Sequence, residues 1–93
     1  MNKAEQYYEE SVTHQVAMLE AKELRKELVK DGQRVATIAM QDLRAKNLPL
    51  EEIVLAIRAI WAPYDERIAE IEARITGHQE KADAAYEAYE RAY

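Results

Sequence analysis

From Tyr64 onward the chain carries a repeat that few folds accommodate. Tyr64, Ile68, Ile71, Ile75, His78, Ala82, Ala85 and Tyr89 are spaced 4,3,4,3,4,3,4. A strict 3.5-residue apolar repeat is the signature of an α-helix whose seam winds left-handed around another helix. Ile68, Ile75, Ala82 and Tyr89 take the a positions of the heptad, and Tyr64, Ile71, His78 and Ala85 the d positions. Asp65 and Glu72 open the e series, and Arg67, Arg74 and Lys81 the g series. Opposite signs at g and e suit a parallel homodimer, with Ile68, Ile71, Ile75 and His78 as its seam. The alternative is that the same stripe faces earlier helices of its own chain.

Composition agrees with helix throughout. Alanine (16) and glutamate (14) make up about a third of the 93 residues, against two glycines and two prolines, too few for the turns of a sheet protein. The length fits one domain, residues 1–93. With no cysteine, disulfides and thiolate zinc sites are excluded. The N-terminal Met1-Asn2-Lys3-Ala4-Glu5 lacks the apolar stretch of a signal peptide. The longest nearly uncharged run, Ile53 to Pro63, is far short of the ~20 apolar residues that span a bilayer. The expected setting is the cytoplasm, with no membrane association.

Local signals divide the chain into helices at about 3–30, 33–46, 49–61 and 63–92. Asn2 can cap the first, with Glu5 in capping-box position. Asp31-Gly32 reads as its end, because glycine takes the left-handed conformation that a helix C-terminus favours. Asn47-Leu48-Pro49 breaks the middle segment, and Ala62-Pro63 is the next boundary, since a residue before proline avoids the helical region. The expected fold is all-α: an antiparallel three-helix bundle with a broken middle helix and a long, coiled-coil-like C-terminal helix. On the first helix the apolar stripe reads Tyr8, Val12, Val16 and Leu19, then Ala21, Leu24 and Leu28 on a second face. In such a bundle Tyr7 and Tyr8 lie near Trp61 and Tyr64.

Chemistry has little to work with. Ser11 is the only serine, His14 and His78 stand 64 positions apart, no His-Glu-x-x-His pair exists, and neither histidine has the Glu-x-x-His spacing of a bundle di-iron site. Catalytic, cofactor and metal sites are therefore not expected, and the chain reads as a non-enzyme. The formal net charge is −5, which disfavours direct nucleic-acid binding and favours a protein partner with a basic surface. Lys22, Arg25, Lys26 and Lys30 form a basic stripe that either grips an acidic partner or a phosphate backbone, or pairs internally with Glu80, Asp83, Glu87 and Glu90 of the last helix. Tyr86, Tyr89 and Tyr93 share one helical face. Amphipathic rings recur at interface hot spots, so these three tyrosines, with Glu80, Asp83, Glu87 and Glu90, are the expected partner-binding surface.

Two resemblances bear on this. Leu43-Arg44-Ala45-Lys46-Asn47-Leu48-Pro49-Leu50-Glu51-Glu52-Ile53 resembles the helix-loop-helix that precedes the dimerisation coil of MerR-type regulators, and Glu66 to Ile75 is similar to that coil. The likeness covers about 35 residues and implies a regulatory dimerisation module. The family's winged-helix DNA reader has no counterpart, so DNA reading is not implied. The length and three-helix plan also resemble the AroQ-type chorismate mutases, small helical enzymes whose arginines and lysine converge on a dicarboxylate. Arg25, Lys30, Arg34 and Arg44 do not fall on that pattern. The leading expectation is a small acidic inhibitor or adaptor, of the kind phages and other mobile elements encode, that docks on a protein partner.

Overall fold

A computed structural model describes residues 2–93. All secondary structure among them is helical, in two α-helices of 43 residues: α1, Lys3–Ala45, and α2, Leu50–Ala92. This corrects the three-helix bundle. Of the three expected breaks only Asn47-Leu48-Pro49 exists.

That break is built by local chemistry. Asn47 adopts a φ of 55°, the left-handed region that asparagine enters more readily than most residues. Its N–H donates to the Arg44 carbonyl at 3.0 Å, and the Leu48 N–H donates to the Leu43 carbonyl at 3.5 Å. The pair of bonds is a Schellman motif, which satisfies carbonyls that the end of α1 would leave bare. The Pro49 carbonyl then accepts from the N–H groups of Glu52 and Ile53 and opens α2. At the other end of α1, the Asn2 side chain caps the helix by accepting from the Glu5 N–H at 2.9 Å.

The two missing breaks have nonlocal explanations. Gly32 is not in a left-handed conformation. It is buried inside α1, and a Cβ built there would lie 2.5 Å from Cζ3 of Trp61. The glycine is room for an indole, not a helix end. Pro63 lies inside α2. Its fixed φ suits a helix; what it removes is the N–H that would bond the Ala59 carbonyl, at a cost near 3 kcal/mol. Trp61 and Tyr64, on either side, anchor that turn to α1 through Gly32 and Asp31.

The residues form two compact units. The loop-side unit is Arg25–Glu70. In it Ile53, Ile57, Ile60, Trp61, Tyr64 and Ile68 of α2 are buried or half-buried, as are Leu28, Gly32, Ala36, Ala39 and Leu43 of α1. The terminal unit joins the segment through Leu24 to Ile71–Tyr93. Its inward face takes Ile71, Ile75, His78, Ala82, Ala85 and Tyr89 from α2, and Ala4, Tyr7, Ser11, His14, Met18 and Ala21 from α1. The α1 set is again spaced 3,4,3,4,3. The 3.5-residue seam of α2 therefore meets a matching seam of the same chain, so Ile68, Ile71, Ile75 and His78 face inward rather than forming a free dimer surface. Ile71 is only 3% exposed.

Of the stripe expected to pack from α1, Ala21 and Leu28 turn inward and the rest does the opposite. Tyr8, Val12, Val16, Leu19 and Leu24 are exposed, while Ala4, Ser11, His14 and Ala21 join Tyr7 and Met18 on the inward face. Small side chains let two helix backbones approach closely, and dense packing then replaces bulky burial. The most completely buried side chain is Ser11, at 1% exposure.

Candidate interaction surfaces

In the terminal unit Tyr89 is the hub of an aromatic cluster. Its ring centroid stands 5.4 Å from Tyr8, 5.7 Å from Tyr86 and 5.7 Å from Tyr93, all in tilted arrangements. These separations lie within the favourable range for ring pairs. Tyr89 is half-buried, whereas Tyr86 is exposed and Tyr93 is 92% exposed. The i, i+3, i+7 spacing of the trio was legible in the sequence. The fourth member, Tyr8, was expected beside Trp61 and Tyr64, and its place beside Tyr89 corrects that. Trp61 and Tyr64 pair with each other in the loop-side unit at 5.9 Å.

Glu80, Asp83, Glu87 and Glu90 are all exposed on the same stretch of α2. The Gln79 side-chain amide donates to Asp83 Oδ1 at 2.9 Å, and Arg91 approaches Glu87 at 3.7 Å. Among the described residues none of the four is in an ion pair with Lys22, Arg25, Lys26 or Lys30. The internal pairing expected from a three-helix plan fails because the helix turn at Gly32 on which it depended is absent.

Charge is segregated between the units. Arg25–Glu70 holds eight basic and eight acidic side chains, and the remaining residues hold five against ten. The whole net charge of −5 thus resides in the terminal unit.

His14 and His78 meet across the terminal unit's seam, with Nδ1 atoms 3.1 Å apart and ring centroids 5.3 Å apart. A bond at that distance needs one ring protonated at Nδ1 and the other bare there. The heptad pattern places His78 at a d position, whereas His14 lies off the stripe of larger apolar residues on α1. Among the described residues no three histidine, aspartate or glutamate side chains are grouped to hold a metal ion.

The loop-side unit has a polar link and a groove. The Tyr64 hydroxyl donates to Asp31 Oδ2 at 2.8 Å, and Arg34 pairs with the other carboxylate oxygen. The bond from Tyr64 holds the Asp31 carboxyl below its ordinary range, with a smaller contribution from Arg34. The same bond raises Tyr64, because ionising the phenol would forfeit it beside a negative charge. Near the connection, a groove of about 750 Å³ is lined by Met40, Leu48, Leu50, Ile53, Val54 and Ile57, with Arg44, Asn47 and Arg58 beside them. Local sequence patterns gave no sign of this groove, because its walls come from both sides of the connection.

No family model, curated protein or solved structure matches the chain. The three-helix plan behind the likeness to chorismate mutases is absent from the fold. No described helix is long and apolar enough to cross a membrane.

Proposed function

We propose that the chain is a non-enzymatic interaction protein, an inhibitor or adaptor of the cytoplasm, that docks on a basic protein surface through its terminal unit. One observation carries this reading: the Tyr8–Tyr86–Tyr89–Tyr93 cluster is presented beside Glu80, Asp83, Glu87 and Glu90 on the unit that holds all of the net charge. Half-exposed rings supply contact area at low entropy cost, and the carboxylates steer a cationic partner and fix its register. The contacting rings hold one another in place, which lowers the ordering cost of binding.

The test is affinity capture from lysate with the wild-type chain and with a Tyr86→Ala/Tyr93→Ala variant, eluted by salt. Both tyrosines are exposed, so the variant keeps its helices. A protein held by the wild type, released by salt and lost with the variant supports the reading. Identical capture by both chains refutes it.

A further inference from the structure

Two surfaces outside the tyrosine cluster carry complementary chemistry. The first is the outward stripe of α1 in the terminal unit: Val12, Val16 and Leu19, at i, i+4 and i+7. These are the anchor spacings of a helix that lies in a groove. Leu19 is 62% exposed. Helical geometry places Glu5 and Glu23 at the ends of the stripe and Glu9 and Glu20 along one flank. None of these carboxylates is in an ion pair among the described residues. The second surface is the groove of the loop-side unit. Its apolar walls include Met40, Leu48, Leu50 and Val54, and Leu50 is 75% exposed. Arg44 and Arg58 line it, and neither pairs with a carboxylate among the described residues.

We infer that the acidic α1 stripe of one copy seats in the arginine-lined groove of a second copy of this chain. Charge selects the arrangement. Stripe against stripe would juxtapose glutamates, and groove against groove would juxtapose arginines. Only stripe in groove buries apolar surface on both sides while matching the free carboxylates to the free guanidiniums. A second copy supplies both halves of the match at once. This homodimer differs from one through the 3.5-residue seam of α2, which packs inside the chain, and it does not rest on the docking role of the tyrosines.

The experiment is sedimentation equilibrium of the full chain and of two charge-reversal variants, Arg44→Glu/Arg58→Glu and Glu9→Lys/Glu20→Lys. All four sites are exposed, and circular dichroism verifies that helix content is kept. The wild type is expected to run at twice 10.8 kDa in the micromolar range. Each variant alone is expected to dissociate at least about tenfold more readily, because stripe and groove become like-charged. Mixing the two variants restores association, since each stripe then meets a groove of opposite sign. A wild type that stays monomeric up to about 100 µM, well above the micromolar affinity of even modest standard-size interfaces, overturns the proposal. So does association that survives either reversal, or variants that fail to recover on mixing. None of these results bears on lysate capture through Tyr86 and Tyr93.

Discussion

The two glycines should respond in opposite directions to the same substitution. Both lie inside helices, where alanine is favoured over glycine by about 1 kcal/mol. At Gly77 an added Cβ meets nothing within 4 Å. Gly77→Ala should therefore stabilise by about 1 kcal/mol, a rise in Tm of roughly 4–8 °C for a chain of this size. At Gly32 the same methyl would stand 2.5 Å from Cζ3, 2.8 Å from Cη2 and 3.1 Å from Cε3 of Trp61. Three atoms of one rigid ring cannot all yield without moving the indole, and overpacking of this kind costs typically 1–3 kcal/mol. The helix gain offsets part of that, so Gly32→Ala should melt no higher than wild type and about 1–3 kcal/mol below Gly77→Ala. Urea unfolding and thermal melts at one fixed protein concentration measure both. A Trp61→Leu background supplies the control: with the ring gone, Gly32→Ala should become stabilising. If Gly32→Ala is as stable as Gly77→Ala in the wild-type background, the close approach of Trp61 to α1 is refuted.

Two further outcomes follow from the connection and the Asp31–Tyr64 link. Asn47→Gly should be neutral or stabilising, and Asn47→Ala should cost about 1–2 kcal/mol in urea unfolding, because alanine pays the left-handed penalty at φ 55°. Tyr64→Phe should weaken the fold between two limits of pH. Asp31 titrates low in the folded chain, so its contribution is present above the unfolded carboxyl value and fades as pH falls below about 4. Tyr64 titrates high, so its contribution is present below the unfolded phenol value and is lost as pH rises past about 10. The wild-type advantage over Tyr64→Phe should shrink at both extremes, and an advantage unchanged across the range would refute the bond.

The helical class was legible because so little in the chain could stop a helix, and the features written locally were read correctly. Asn2 caps α1, and Asn47-Leu48-Pro49 ends one helix and starts the next. Gly32 and Pro63 carried the same kinds of signal with different meanings. The reason for Gly32 lies 29 positions away in Trp61, and no local rule reaches that far. The partner face of α1 was missed for a different reason. Hydrophobicity picks out Val12, Val16 and Leu19, whereas the seam mixes the small Ala4, Ser11 and Ala21 with Tyr7, His14 and Met18. The 3,4,3,4,3 spacing of Ala4, Tyr7, Ser11, His14, Met18 and Ala21 is written in the sequence and puts His14 on the seam where it meets His78. The tyrosine trio and the carboxylates of α2 were visible as a helical face, but Tyr8 joins them only in the folded chain.

The small-residue seam also changes which mutations are informative. An alanine scan locates a core by deleting side chains, and here Ala36, Ala82 and Ala85 are already alanine, while Ser11 would lose a single oxygen. Such a scan would register Ile53, Ile71 and Trp61 but pass over these four positions almost silently. The complementary experiment, inserting valine or leucine at those four positions, forces the backbones apart and maps the contact by its intolerance of added volume. In this protein the space that is missing from the seam carries as much structural information as the side chains that fill it.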